Sequence, residues 1–472
     1  MKRKLIKNIS ANTIQLIINQ VFGLMIFYMI SNALSKDNFG KVNLVLAILH
    51  TSFNILSCGI DQVAVKKIVS GKDPGTILSI YIGHVVIAGL LFYSLLISTY
   101  LLFPNTPLPF LLLIFIGIGK LMIFFSSPFK QASMGLERFN LFAYMSVASN
   151  VIRGLALIIL ALFSTISLSL IIIIFICGDF IELMLCIYLC KYRLQIPIKL
   201  KWDKKKYFDL IKESFPQVGV VLFTSAIARF DWIFIGLFLS AVKLAEYSFA
   251  WKAFEMSTLP LLAVAPLLLP LFIRLFSENK DHPTEKLYHL LRFEMIIASL
   301  VALLLNLCWS PIIDMITYGK YGFVNANTIF ILSLCMPLLY FNNFLWSIYF
   351  AKGKLKFILL VIAVTFFVNF TGDILMIPYL KNEGAALSYF IAMLIQFILY
   401  TSKIDLKQFR NMIYSLVFCF ASALGSGLLA NFAFVNPIHI FISAVLFHFI
   451  FLFATAQLRL NDFQRIKQLS DF

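Results

Sequence analysis

Apolar stretches of about 20 residues or more follow one another along almost the whole chain, separated by short polar turns. One α-helical crossing of a bilayer needs about 20 consecutive apolar residues. We therefore predict an all-α fold, a polytopic integral membrane protein with about 14 transmembrane helices. The predicted spans are 12–34, 42–65, 77–103, 108–130, 141–164, 167–190, 211–239, 247–273, 288–313, 324–350, 357–379, 384–401, 411–431 and 436–457.

Composition agrees with a membrane protein, because 61% of the residues are hydrophobic and only 13% are charged. A net charge of +17 would suggest nucleic acid as a partner of a soluble protein. Here the basic residues lie in short loops, so topology explains them and we expect no nucleic-acid partner. Cys186 and Cys190 have helical spacing but no second ligand pair, which predicts packing rather than a metal site. Gly119-Lys120 lies inside a span and is no phosphate loop, so we expect neither ATP hydrolysis nor a cofactor.

Lysine and arginine are distributed unevenly between alternate loops. With the N-terminus placed inside, about 29 basic residues fall inside and five outside. Cytoplasmic loops carry such an excess, and one missed span would scramble the alternation. We therefore predict an even number of crossings with both termini cytoplasmic. The five outside residues are Lys36, Lys41, Lys243, Lys320 and Lys381.

Two segments of equal length begin and end alike. One opens at Leu5-Ile6-Lys7 and closes at Leu34-Ser35, and the other opens at Leu210-Ile211-Lys212 and closes at Leu239-Ser240. Both run from inside to outside with six spans per repeat, which predicts parallel repeats about an axis along the membrane normal, a pseudo-twofold. The predicted domains are an N-terminal six-helix lobe (1–195), a cytoplasmic linker (196–210), a C-terminal six-helix lobe (211–402), and two additional helices with a cytoplasmic tail (403–472).

Amide side chains form a stripe along the first span. Their spacing of four, three and four residues places them on one helical face, and amides facing lipid would be costly. We predict that the stripe lines a wet cavity and hydrogen-bonds the hydroxyl groups of a ligand. The alternative is amide packing between helices. The stripe consists of Asn8, Asn12, Gln15 and Asn19, with Gln20 beside it.

Ionisable side chains inside apolar spans cost about 2.5–3.5 kcal/mol each on insertion scales, so they indicate function. Arg153 and Asp179 lie equally far from the turn near residue 166, which predicts an ion pair near the bilayer centre. Glu182 is one turn further along the same face. Lys120 reaches a similar depth without an obvious partner and is the better candidate to bind an anion. The Arg153–Asp179 pair is either structural or a switch in which Arg153 turns to a ligand and Asp179 takes up a proton.

A second group of ionisable residues surrounds the turn at 240–246. Arg229 and Asp231 precede this turn, and Lys252 and Glu255 follow it, so hairpin spacing predicts a cluster in the outer half of the bilayer. The cations are candidate ligand contacts. Trp232 and Trp251 flank the cluster and are typical of the interfacial aromatic belt. The candidate ion-coupling residues of the chain are Asp179, Glu182, Asp231 and Glu255.

Three pieces of the chain resemble a known family: LSKDNFGKVNLVLAI from Leu34, RFDWIFIGLFLSAVKLAEYSFAWK from Arg229, and IPYLKNEGAALSYFIA from Ile377. They are similar to the polysaccharide-biosynthesis flippases, including Wzx-type O-antigen flippases, of the multidrug/oligosaccharidyl-lipid/polysaccharide superfamily. The resemblance extends through about residue 400. It implies a non-enzymatic transporter in the bacterial inner membrane. That transporter would move undecaprenyl-pyrophosphate-linked O-antigen units outward by alternating access, in contact with membrane lipids, a polymerase and a chain-length regulator.

Two other functions stay open at this point. A drug/cation antiporter of the same superfamily would favour acidic residues in its cavity, whereas here the cations are at least as numerous. A polysaccharide polymerase or lipid-linked glycosyltransferase usually needs a sizeable outer loop, and every predicted outer loop is short.

Overall fold

The chain is built from helices. The computed structural model describes residues 2–103, 108–163, 165–197, 203–261, 272, 284–403 and 406–459. In these ranges the regular elements are fourteen α-helices and one 3-10 turn, Phe323–Asn325. Twelve of the described helices are long and apolar enough to cross a membrane. The chain is therefore an all-α, multi-pass membrane protein, as predicted.

Most helices coincide with a predicted span. The eighth predicted span, 247–273, begins in α9 and continues outside the described residues. In chain order the helices are α1 (Lys2–Ala33), α2 (Lys36–Leu56), α3 (Ile60–Val69), α4 (Pro74–Leu102), α5 (Phe110–Gly135), α6 (Phe139–Phe163), α7 (Leu168–Tyr192), α8 (Lys204–Phe238), α9 (Ala241–Ser257), α10 (Thr284–Thr317), α11 (Ala326–Ala351), α12 (Leu355–Thr401), α13 (Leu406–Ala433) and α14 (Pro437–Ala454).

The longest helix contains two of the predicted spans. α12 has 47 residues, and Lys381 interrupts it with non-helical angles, φ 54° and ψ −130°. The two arms, 355–380 and 382–401, correspond to the predicted spans 357–379 and 384–401. The break falls in the four-residue interval that separates these spans.

The second predicted span is divided, which the sequence analysis did not anticipate. Cys58 and Gly59 have positive φ angles of 50° and 67° and separate α2 from α3. A break inside an apolar segment leaves carbonyl groups that need partners. Nε2 of His84, on α4, lies 2.8 Å from the carbonyl oxygen of Leu56 at this break.

Polar caps mark where several helices begin. The Ser35 hydroxyl accepts a hydrogen bond from the Asn38 amide at 3.3 Å, and the Ser240 hydroxyl accepts one from the Lys243 amide at 3.2 Å. The two caps occupy corresponding positions of the two similar segments. The two caps agree with the predicted repeat at these positions, and the repeat of six spans stays a prediction.

Aspartates cap two of the helices that follow cytoplasmic loops in the predicted topology. The Asp73 carboxylate accepts from the Thr76 amide at 2.9 Å and from the Thr76 hydroxyl. These bonds to Thr76 lower the pKa of Asp73 below its ordinary value. Asp203 accepts from the Lys206 amide at 3.1 Å at the start of α8. α8 thus begins inside the predicted linker 196–210, because Asp203 satisfies its first amides.

The chain divides into two compact units, Met1–Ala245 and Glu246–Phe472. The first unit includes α8, which the sequence analysis assigned to the second lobe. In the second unit, α10 packs against α11, α13 and α14, and α11 packs against α12. The division into two six-helix lobes stays a prediction.

α8 lies antiparallel along α2 and α3 within the first unit. Asn54 Nδ2 donates to the Ser225 hydroxyl at 3.1 Å, and Lys67 pairs with Glu213 at 2.9 Å. Residue numbers therefore fall along α8 as they rise along α2 and α3. The start of α9 also lies close to α2, because a Cβ added at Gly40 would lie 1.7 Å from the Ala241 carbonyl oxygen. Only glycine fits at this position.

Candidate functional site

Five ionisable side chains on α5, α6 and α7 form one connected region in the first unit. These three helices pack against one another. The members of this charged cluster are Lys120 and Lys130 on α5, Arg153 on α6, and Asp179 and Glu182 on α7. Three of them, Lys120, Arg153 and Asp179, are predicted to lie at a similar depth, with Glu182 one turn further along α7.

The predicted ion pair is present. Arg153 Nη2 contacts Asp179 Oδ1, and the two side chains are only 7% and 1% exposed. The Ser149 hydroxyl also donates to Asp179 Oδ1, at 2.6 Å. The Arg153 guanidinium stacks 4.5 Å from the centre of the Phe175 ring. Gly119 packs against the carboxylate of Asp179, and an added Cβ at Gly119 would lie 2.6 Å from Asp179 Oδ2.

Lys130 belongs to the same cluster, which the sequence analysis missed. Its Nζ lies 2.5 Å from Glu182 Oε1, and Glu182 Oε2 accepts from the Ser149 amide at 3.1 Å. We had counted Lys130 as a loop residue because the predicted span ended there. α5 instead continues to Gly135. The spacing of ten helical residues places Lys130 about 80° around α5 from Lys120, so periodicity alone did not assign the two lysines to one face.

Lys120 is the cation of the cluster that no carboxylate neutralises. It is half-buried, and its ammonium makes no hydrogen bond or ion pair with the described residues. It lies near enough to Arg153, Asp179 and Glu182 to interact with them electrostatically. The cluster therefore holds three cations and two carboxylates. Its excess of one positive charge favours an anionic ligand.

The amide stripe reaches this cluster through α6. Asn150 Nδ2 donates to Asn19 Oδ1 at 3.0 Å, and Asn150 follows Ser149, the hydroxyl partner of Asp179. This hydrogen bond fits the alternative interpretation of the stripe, in which the amide of Asn19 packs between helices. Gln15 is buried and Gln20 is half-buried. The side chain of Asn12 lies outside the described part of the chain, and the lining of a cavity by the stripe stays a prediction.

The second predicted cluster is distributed over both units. Arg229 and Asp231 lie on α8 in the first unit, and the Arg229 guanidinium lies 4.6 Å from the centre of the Trp232 ring. Asp231 Oδ1 accepts from the Trp232 amide at 2.8 Å. Lys252 and Glu255 lie on α9 in the second unit, where they form an ion pair of 2.9 Å. The association of all four residues stays a prediction.

Comparison with known proteins places this site in a recognised fold. Residues 5–276 match the sequence model of the family described as "Polysaccharide biosynthesis protein". No curated protein sequence matches the chain.

Solved structures of transporters have a similar fold. The inward-closed structure of the lipid II flippase MurJ is 14% identical, with a TM-score of 0.73 over 93% of this chain and 97% of that one. An inward-facing multidrug resistance MATE family transporter of the MOP superfamily is 13% identical, with a TM-score of 0.64 over 84% and 95%. A Pyrococcus furiosus MOP superfamily transporter is 12% identical, with a TM-score of 0.58 over 89% and 96%.

Proposed function

Because the chain belongs to the polysaccharide biosynthesis protein family and has the fold of MOP superfamily transporters, we propose that it is a flippase for a lipid-linked oligosaccharide. The substrate is an undecaprenyl-pyrophosphate-linked repeat unit of O-antigen or a similar polysaccharide. The protein moves it from the cytoplasmic to the outer leaflet of a bacterial inner membrane by alternating access, without covalent chemistry.

The observation that carries this proposal is the excess positive charge of the cluster on α5–α7. A pyrophosphate is a compact dianion that needs cations once it leaves the headgroup region. The Lys120 ammonium has no carboxylate of its own among the described residues, so it can accept this ligand without breaking an ion pair. A cation-binding antiporter site would instead be expected to have an acidic excess.

The sugar and the prenyl chain of the substrate require different surroundings. The sugar hydroxyls need hydrogen-bonding side chains, which Gln15 and Gln20 on α1 can offer, while the prenyl chain can stay in lipid. Moving two negative charges outward across a membrane that is negative inside is favourable by about 4–5 kcal/mol per 100 mV. A polymerase and a chain-length regulator would act on the product in the outer leaflet.

The test is deletion of the gene in its native host, with complementation by the parent sequence and by the Lys120→Ala variant. We expect the deletion strain to lose surface glycan and to accumulate the lipid-linked unit on the cytoplasmic leaflet. The parent should restore export, and the variant should not. Accumulation of single units on the outer leaflet would instead indicate a polymerase. Unchanged glycan combined with drug sensitivity would indicate an antiporter.

A further inference from the structure

Within the described part of the chain, one carboxylate of the second unit lacks the cation and serine contacts that Asp179 and Glu182 have in the first. Glu294 lies on α10 within an apolar span, and its side chain is only 3% exposed. Among the described residues, neither of its carboxylate oxygens has a hydrogen-bond partner. By contrast, Asp179 and Glu182 each contact a cation and a serine among the described residues.

The polar groups of neighbouring helices are mostly on the other side of α10. Successive helical residues are about 100° apart, so Arg292 is about 160° and Ser299 about 140° from Glu294. Those two residues face α13 and α14: Cys419 lies near Arg292 and Ser299, and His448 Nε2 lies 3.3 Å from the Ser299 hydroxyl.

On the side of α10 that carries Glu294, a tyrosine of α11 approaches the carboxylate. The buried Tyr340 lies close enough to the Glu294 carboxylate to be influenced by its charge, and it also approaches the Leu261 backbone. His289, on the same helix, is about 140° away from Glu294. The 3-10 turn that packs on α10 consists of Phe323, Val324 and Asn325 and has no titratable group.

These surroundings decide whether the Glu294 carboxyl group is ionised or neutral. A buried ionised carboxylate needs a cation or several hydrogen-bond donors, and without them the neutral acid is favoured. A bound metal ion would require several oxygen ligands, whereas the described residues bring one tyrosine hydroxyl towards Glu294. No group of three or more His, Cys, Asp or Glu residues suited to a metal occurs in the described ranges. A single proton makes the Glu294 carboxyl group neutral and so removes the need for cations or further ligands.

We propose that Glu294 is a proton-binding site of the second unit, separate from the charged cluster on α5–α7. At neutral pH it holds a proton as a neutral acid between α10 and α11. This role rests on the proposed function. Release and uptake of the proton by Glu294 would then link the transport cycle to the proton gradient. Protonation changes the charge of this interface from −1 to zero, so each state stabilises a different packing of α10 on α11.

Proton binding is tested directly by infrared spectroscopy of the purified protein in lipid, with the carboxylic-acid C=O band as the readout. We expect a band at neutral pH that is lost in Glu294→Gln and retained in Glu213→Gln, a matched change of an exposed carboxylate on α8. Glutamine has the shape of the neutral acid, so Glu294→Gln should fold, and Glu294→Asp should keep a shifted band. The absence of any Glu294-dependent band would overturn the proposal. A band that appears only when sodium is removed would overturn it too, because the site would then bind a metal cation.

Coupling is tested in cells by measuring glycan export with and without nigericin, which exchanges potassium for protons electroneutrally and so collapses the pH gradient while leaving the membrane potential. Export by the parent and by Glu213→Gln should fall when the gradient collapses. Glu294→Gln should export at least tenfold less than the parent, with a residual rate that no longer responds to the gradient. Full, gradient-sensitive export by Glu294→Gln would refute the coupling role. If even the parent exports no glycan, the proposed function fails, while the infrared band still reports whether Glu294 binds a proton.

Discussion

Lys120 is the residue on which the choice of ligand depends. A hydrogen bond to a charged group contributes about 1.5–3 kcal/mol, so we expect Lys120→Ala to lower glycan export by about ten- to a hundredfold. Lys120→Arg keeps the charge and should retain part of the activity. The measurement is surface glycan at matched protein levels in the membrane.

The control for this prediction is Lys191→Ala, which removes an exposed lysine near the end of α7. It should export at the parent's rate, because Lys191 contacts only the Tyr192 ring among the described residues. Parent-like export by Lys120→Ala would show that Lys120 is a buried residue without a ligand.

Variants of the Arg153–Asp179 pair can distinguish a switch from a purely structural ion pair. We expect Arg153→Leu and Asp179→Leu each to abolish export, and the double variant to be as inactive as either, because Arg153 also contacts the ligand. A purely structural pair predicts the opposite, since replacing a buried ion pair by apolar residues is often nearly neutral while removing one partner costs about 3–5 kcal/mol. Restored export in the double variant, at matched protein levels, would assign the pair to the scaffold.

At the scale of helices, the antiparallel contact of α8 with α2 and α3 must open if these helices separate during transport. Asn54 and Ser225 are in direct contact, so cysteines at these two positions should form a disulfide in a background without the seven native cysteines. We expect oxidation to stop glycan export and a reductant to restore it. Each single cysteine variant should be unaffected, and full export by the cross-linked protein would exclude separation at this contact.

Which elements were predictable depends on the kind of signal. Hydrophobic length fixed most spans, and the Ser35 and Ser240 caps fall where the similar segments were predicted to end. The break at Cys58-Gly59 was missed because the segment 42–65 is long enough for one uninterrupted span, and only the φ angles of Cys58 and Gly59 reveal the break. Lys130 was missed because a basic residue near a span end is typical of a loop, whereas here Glu182 holds it against α7.

At the scale of the whole molecule, the charge bias predicts cytoplasmic N- and C-termini and a cytoplasmic segment between α7 and α8. Reporter fusions after Lys206 and after Phe472 should both give cytoplasmic signals. A fusion in the turn between α8 and α9, after Ser240, serves as the control and should give an outer signal. A reversed signal at either of the first two positions would contradict the predicted topology.

The sequence predicted the class of fold and part of the site, because both follow from local patterns. Arg153 and Asp179 were paired by counting along one hairpin. Contacts such as that of Asn54 with Ser225 join residues 171 positions apart, and no periodicity specifies them. Glu294 was visible as an acid inside a predicted span, but that its carboxylate has no partner among the described residues appears only in three dimensions.

The unequal charge of the α5–α7 cluster has an electrical consequence for a complete transport cycle. With three cations and two carboxylates, the empty site has a charge of +1, and a bound pyrophosphate dianion changes it to −1 when Asp179 stays ionised. In a membrane that is negative inside, the field favours outward movement of the loaded site and inward return of the empty one. Each elementary charge contributes about 2.3 kcal/mol per 100 mV. The membrane potential would then act as a rectifier that drives both halves of the cycle in the direction of export.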